Sequence, residues 1–251
     1  NKNKIEKIIN IISNEHYKSI IEIGPGLGSI TDRLVEINKN IICIEKDKNF
    51  FNHLKDKYSL KKNLRIYNKD ILKCNLKKLG TGEKLFFGNL PYNIATKIVE
   101  NLSDTFHADN KISAIFMFQK EVADKILSNK NSKLYNGFVV KIRTFYNIKK
   151  ILNLNESDFW PQPRVKSVLL KFENKNIKYK RKLDYKEYSD FIYKSFSVRR
   201  KKLTNNLQKK FPRSLIIEKL NALGLDKDVR AQDLEINKFI ELHQILKGNK
   251  F

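Results

Sequence analysis

Apolar residues fall along this chain with two alternating periods. Ile5, Ile8, Ile9 and Ile12 recur at i, i+3, i+4 and i+7, which predicts an opening helix. Short apolar runs follow at 19–23, 40–44, 64–67 and 85–87, and helical spacing returns between them, first in Ile30, Leu34 and Ile37. The alternation continues with a fifth strand at 112–118, a helix at 120–128, a sixth strand at 138–146 and a seventh at 165–172. Strands alternating with helices predict the α/β class with a largely parallel sheet. The Lys- and Asn-rich stretch 173–182 has no period and reads as a linker. Three helical patterns come after it. The first carries Tyr188, Ile192, Phe196, Leu203 and Leu207; the second carries Leu215, Ile216, Leu220 and Leu223 before Gly224; the third carries Ile236, Phe239, Ile240 and His243 before Gly248. Both glycines sit where C-caps belong. The expected organisation is an α/β domain over 1–174 and a small helical domain over 183–251.

The strand ends carry the chemistry. The first run passes from Ser19 through Glu22 into Gly24-Pro25-Gly26-Leu27-Gly28 and then a helical pattern. Glycines there let a ligand approach the backbone closely, over the start of the next helix. The second run ends in Glu45, placed to take both hydroxyls of a ribose, and the third ends near Asp70. Consecutive parallel strands would bring Gly24, Glu45, Asp70 and Asn89 to one edge, where open α/β sheets bind ligands. A glycine turn plus an acid also suits NAD. However, Ser29 stands where the dinucleotide fingerprint has its third glycine, and the turn holds no Arg or Lys to meet a diphosphate. Glu22, Glu45 and Asp70 suit a ligand without phosphates that carries an ammonium and a sulfonium. S-adenosylmethionine fits that description better.

The fourth run, Leu85-Phe86-Phe87, leads into Gly88-Asn89-Leu90-Pro91-Tyr92-Asn93. The exocyclic amine of adenine is a weak nucleophile because its lone pair is delocalised into the ring. An Asn89 side-chain oxygen and the Pro91 carbonyl would accept both amine hydrogens, with the proline fixing the turn. Tyr92 would stack on the base. Taken alone, the tetrapeptide reads equally well as a strand-ending turn with a half-buried tyrosine. Phe159-Trp160-Pro161-Gln162-Pro163 forms a second rigid aromatic segment before the seventh strand. Phe159 would close a sandwich with Tyr92 around an extruded base, and Trp160 is expected to plug the sheet edge.

Composition adds a partner. The 251 residues carry 51 Lys and Arg against 27 Asp and Glu, a net charge of +24 that points to a polyanion. Compositional bias toward Lys, Asn and Ile explains many of the lysines but not the cluster Arg199-Arg200-Lys201-Lys202, which would span one turn of a helix and meet RNA phosphates. No apolar run approaches a membrane span and no secretory signal is visible. Cys43 and Cys74 have no metal-ligand or disulfide spacing, and His16, His53, His107 and His243 are scattered. Cys43 and His243 read as core residues, and no metal is expected.

Seven segments, in order, carry a resemblance: EIGPGLGSIT (22–31), IEKD (44–47), KDIL (69–72), GNLPYNIAT (88–96), FMFQKEVADKI (116–126), FWPQPRVKSVLLKF (159–172) and FSVRRKKLTNNL (196–207). The chain resembles the small-subunit ribosomal RNA adenine N(6)-dimethyltransferases of the KsgA type. The resemblance implies a seven-stranded Rossmann-like S-adenosylmethionine methyltransferase sheet whose last strand enters antiparallel, followed by a helical RNA-binding domain. It implies dimethylation of two adjacent adenosines near the 3′ end of small-subunit rRNA, on a pre-ribosomal particle, by a monomer in the cytoplasm. Catalysis would rest on Asn89, Pro91, Tyr92 and Phe159, donor binding on Glu22, Gly24, Gly26, Glu45, Asp70 and Asn89, and RNA binding on Arg199, Arg200, Lys201 and Lys202. The family usually opens with a basic arm and a Gly-Gln-Asn-Phe-Leu-like segment. This chain starts about where that segment would end, so a preceding arm is expected, and an organellar location stays open if that arm is a targeting signal. Other open readings are a resistance-type methyltransferase of large-subunit RNA, a binding-only organellar transcription or assembly factor on the same fold, and, remotely, an NAD oxidoreductase.

Overall fold

The computed structural model of the chain describes residues 1–91, 93–175 and 183–248. Its strands are β1 (Ser19–Ile23), β2 (Asn40–Glu45), β3 (Leu64–Asn68), β4 (Lys84–Asn89), β5 (Ile112–Gln119), β6 (Tyr146–Leu154) and β7 (Ser167–Asn174). They form one seven-stranded sheet in the order β3-β2-β1-β4-β5-β7-β6. The five strands β3, β2, β1, β4 and β5 run parallel, and β7 enters antiparallel against β5 with Ser167 opposite Gln119. The central strands are buried at nearly every position, which is why they read as continuous apolar runs and not as alternation.

The helices of the first part are α1 (Lys2–Ser13), α2 (Thr31–Leu34), α3 (Lys48–Lys57), α4 (Ala95–Phe106) and α5 (Lys120–Ile126). One sheet face, with Ile20, Cys43, Leu85, Phe87, Ile115 and Leu169, packs with Ile8 and Ile12 of α1 and Leu54 of α3. The opposite face is aromatic, with Phe86 against Phe106 and Phe116 and Phe118 against Phe172. Asp47 caps α3 by accepting the amides of Asn49 and Phe50 at 2.8 and 3.1 Å.

The second part holds α6 (Gly137–Phe145), α7 (Tyr185–Ser195), α8 (Leu203–Leu207), α9 (Arg213–Ala222) and α10 (Ile236–Leu246). Tyr188, Phe191, Ile192, Leu207, Leu220 and Phe239 form its core, and His243 packs edge-on to Tyr188. Gly224 and Gly248 follow α9 and α10 with positive φ, as the C-cap reading requires.

Several expectations need correction. The segment expected as a strand at 138–146 is helix α6, capped by the Asn136 side chain on the Val139 amide at 3.2 Å, and β6 begins only at Tyr146. Residues 137–145 are buried apart from the half-buried Arg143, so their apolar run has no polar face to reveal the helical period. The helix after the glycine turn, α2, is a single turn, so a ligand over its start would gain little from a helix dipole. The first C-terminal pattern is two helices, α7 and α8, because the Asn206 side chain donates to the carbonyls of Ser195 and Val198 and holds a bend between them. The chain divides into two compact units, Asn1–Ala123 with Asn147–Asn174, and Asp124–Tyr146 with Lys175–Phe251. The expected division placed 124–146 in the first unit. It groups with the second because α6 packs against α7 and α10, with Phe145 against the Tyr185 ring at 4.9 Å. Among the described residues no helix is long and apolar enough to cross a membrane.

Candidate active site at the carboxyl ends of the strands

The parallel register builds the site. Ile23 lies beside Ile44 on one side and Gly88 on the other, so the next residues, Gly24, Glu45 and Asn89, share one row at the sheet edge. The Gly24 amide continues that pairing onto the Ile44 carbonyl at 3.0 Å. Glu45 pairs with Asn68, and Asp70 follows two residues later. Three of the expected residues therefore converge on one row, with Asp70 just beyond it.

The glycines of the turn have different jobs. Gly24 and Gly26 take positive φ, and a Cβ on either would meet nothing within 4 Å, so their backbone borders open space. Gly28 also has positive φ, but a Cβ there would collide with the Tyr58 hydroxyl. That hydroxyl donates to Asp32 at 2.7 Å and lies 3.1 Å from the Gly28 carbonyl. The first two glycines suit a ligand, and the third serves packing. Leu27 between them is 61% exposed, an apolar side chain at the mouth of the turn that the sequence reading passed over.

Glu45 is held from two sides. Its carboxylate accepts the Gly26 amide at 3.1 Å and the Asp47 amide at 2.8 Å, which fixes it against the turn. Glu22 does not share the opening. It is 3% exposed beneath the turn and accepts the Thr31 hydroxyl at 2.7 Å and the Cys43 thiol at 3.4 Å. Burial pushes its carboxyl up to about 7, and these two bonds only partly offset that. Glu22 thus ties the turn to β2 from beneath, and its carboxyl, like that of Glu45 at 6% exposure, is largely shielded from solvent. Asp70 accepts the Leu72 amide at 3.0 Å and pairs with Lys46 at 3.0 Å. The Lys46 ammonium, then that amide, hold it below the usual carboxylate range.

At the end of β4, Asn89 is exposed and lies beside Met117, while Leu90 is buried and donates its amide to the Met117 carbonyl at 3.2 Å. Leu90 thus pins the turn while its neighbours stay outside. The Pro91 carbonyl accepts the Ile94 amide at 3.1 Å, which leaves it one lone pair for another donor. Tyr92 lies outside the described residues. Phe159 is half-buried and packs against the core beneath α1, so it is less available as a platform than its sequence suggested. Its neighbour Trp160 is exposed.

The basic cluster is not a helical turn. Arg199–Lys202 occupies the bend between α7 and α8. Arg199 donates to the carbonyls of Ser132 and Tyr135, each at 2.8 Å, and Lys202 pairs with Asp228 at 2.7 Å. Arg200 and Lys201 are exposed and have no ion-pair partner among the described residues. Thr31, Tyr58 and Lys46, which hold the turn and Asp70, were missed by the sequence reading. The only sequence signal for Thr31 is a small hydroxyl opening the helix after the turn.

A family model described as ribosomal RNA adenine dimethylase matches residues 1–247. A protein of Mycoplasma mobile named Ribosomal RNA small subunit methyltransferase A is 36% identical over 238 residues, covering 95% of this chain and 91% of the relative. The protein of the same name in Wigglesworthia glossinidia brevipalpis is 34% identical over 242 residues, covering 95% and 90%. Among solved structures, a dimethyladenosine transferase from Plasmodium falciparum matches with a TM-score of 0.82 at 24% identity over 99% of this chain and 98% of that one. The 23S rRNA methyltransferase ErmE matches at 0.72 with 18% identity over 98% of each chain. At these identities the two structures share the fold with this chain.

Proposed function

The chain belongs to the ribosomal RNA adenine dimethylase family, and from that premise we propose that it methylates two adjacent adenosines near the 3′ end of small-subunit rRNA, twice each, on the exocyclic amine. The donor is S-adenosylmethionine, which when bound supplies a methyl group made electrophilic by its sulfonium. The open backbone at Gly24 and Gly26, with the Glu45 carboxylate fixed beside it, fits such a nucleoside. Glu45 takes the ribose hydroxyls, Asp70 and Asn89 border the same space, and Glu22 steadies the turn from below.

Asn89 performs the work on the substrate. In the first round its exposed side-chain oxygen accepts one amine hydrogen and the free lone pair of the Pro91 carbonyl accepts the other; in the second round the single hydrogen left on the methylated amine is accepted by one of the two. The amine is drawn toward tetrahedral geometry, and its lone pair is released from the ring. The nitrogen gains a methyl and gives up one proton to solvent in each round. Because those bonds strengthen as the nitrogen becomes tetrahedral, they lower the barrier more than they tighten substrate binding. Tyr92 and the accessible part of Phe159 stack on the base, and Arg200 and Lys201 meet RNA phosphates.

The observation that carries this reading is the row Gly24, Glu45, Asn89, with the Asn-Leu-Pro turn pinned by Leu90, in a chain of this family. The small-subunit relatives favour that substrate over large-subunit RNA. The test is primer extension on small-subunit RNA from cells lacking the protein, with and without its return. A dimethylated adenosine cannot pair, so reverse transcriptase should stop at the two positions only when the protein is present. Stops that persist without it, or that change only on large-subunit RNA, would overturn the assignment.

A further inference from the structure

Trp160 is the only tryptophan of the chain, and at 96% exposure it is the most exposed large hydrophobic side chain among the described residues. The sequence suggested the reverse arrangement, with Trp160 plugging the sheet edge and Phe159 presented outside. A tryptophan with both faces in water forgoes one of the largest burial gains any side chain can make. The loop that carries it is firmly held. The Asp158 carboxylate accepts the Asn155 amide at 2.9 Å, and the Asn1 side chain donates to Asp158 at 2.7 Å. At the far end the Lys120 amide donates to the Lys166 carbonyl at 2.9 Å, just before the buried Ser167. Pro161 and Pro163 limit the backbone in between.

The position of the loop is set by strand register. Asn89 lies beside Met117, Met117 beside Leu169, and Ser167 beside Gln119. The chain therefore enters β7 at the sheet edge where Asn89 leaves β4. Arg164 and Lys166 on the same loop are exposed and have no ion-pair partner among the described residues. An open aromatic face flanked by free cations is the chemistry that holds single-stranded nucleic acid, with a base on the ring and phosphates on the charges.

We propose that Trp160 stacks on an unpaired base of the RNA substrate next to the reacting adenosine, while Arg164 and Lys166 meet the flanking phosphates. This deepens the functional reading above and rests on it. The contact is made by a different ring from that of Phe159, and it helps hold the strand in place while one adenosine is methylated.

The sole tryptophan makes the contact directly visible. Its fluorescence is followed while the full chain is titrated with a single-stranded oligoribonucleotide of the small-subunit 3′ loop, and separately with heparin, a polyanion without bases. RNA should quench the indole, and heparin should bind without quenching it. Trp160→Ala should weaken RNA affinity, read by anisotropy of labelled RNA, by about 5- to 100-fold, and Trp160→Phe should keep most of it. Calorimetric affinity for S-adenosylmethionine should be the same in all three proteins. Saturable RNA binding with unchanged emission, equal quenching by heparin, or normal RNA affinity in Trp160→Ala would each overturn the proposal. The same proteins are assayed for methyl transfer on small subunits from cells lacking the protein. Transfer without quenching sinks the Trp160 contact and leaves the functional reading standing, whereas quenching without transfer supports the contact and counts against that reading.

Discussion

The Thr31 hydroxyl donates a 2.7 Å hydrogen bond to the buried Glu22 carboxyl, joining the end of β1 to the start of α2 across the glycine turn. Because burial raises the Glu22 carboxyl from 4.5 to about 7, the folded protein keeps a proton that the unfolded chain releases. Its contribution to stability is complete below about 4.5 and is lost as pH rises through about 7. Glu22→Gln should flatten that slope. Urea unfolding of both proteins across this pH range checks it, and parallel curves would mean that Glu22 is ionised at no cost.

His243 acts with the opposite sign. Burial among Tyr188 and Phe191, with help from Lys210, lowers its ring from 6.5 to about 4. The folded state excludes a proton that the unfolded chain binds, so stability present above about 6.5 is lost as pH falls through about 4. His243→Phe should remove a loss on the order of 3 kcal/mol from the acid limb. Acid titration followed by near-ultraviolet circular dichroism would show whether the midpoint moves down.

Glu45→Ala should weaken S-adenosylmethionine binding by roughly 1.5–3 kcal/mol, because the proposed contact to the ribose is charge-assisted. It also frees the amides of Gly26 and Asp47, so a modest fall in melting temperature should accompany the weaker binding. Calorimetry with the methyl donor and with NAD checks the assignment, and tighter binding of NAD would refute it.

Asn89→Ala should lower the methyl-transfer rate by about 2–4 kcal/mol in barrier terms, since the bond proposed for Asn89 strengthens as the amine becomes tetrahedral. Asn89 is exposed, so the melting temperature should hold. Single-turnover rates at saturating donor separate this from any weakening of donor binding. A wild-type rate under those conditions would remove Asn89 from the chemistry.

The basic bend should divide into two kinds of residue. Arg200→Ala with Lys201→Ala should reduce RNA affinity and lower the log–log salt slope by roughly 0.7–0.9 for each phosphate left without its cation, with stability unchanged. Arg199→Ala should instead destabilise by about 1–3 kcal/mol, because the Ser132 and Tyr135 carbonyls lose their donor. Salt-dependent RNA binding and urea melts on both variants check the division, and identical behaviour of the two would collapse it.

Much of the site was legible because its parts belong to consecutive strands. In a parallel sheet, residues that follow successive apolar runs must emerge at one edge, so the sequence pattern alone groups Gly24, Glu45 and Asn89. The glycine turn, the C-cap glycines and the antiparallel seventh strand expected from the family were legible for similar local or motif-level reasons. The sequence alone determined the order of these elements and the chemistry at their ends.

Tertiary packing decided the rest, because the deciding partners are distant in sequence or leave no period. Residues 137–145 are buried on nearly every side, so nothing in their pattern separates helix from strand. Arg199 looked like its three basic neighbours until its guanidinium met carbonyls 64 and 67 residues earlier in the chain. Glu22 resembled the other acids at the strand ends, yet Thr31 and Cys43 close over it on the packed face of the sheet. Phe159 and Trp160 are adjacent aromatics with equal claim to the surface. The core beneath α1 takes Phe159, and a loop held at both ends leaves Trp160 in water. Which of two neighbouring side chains turns inward depends on the backbone that three-dimensional anchoring imposes, and no local preference encodes that.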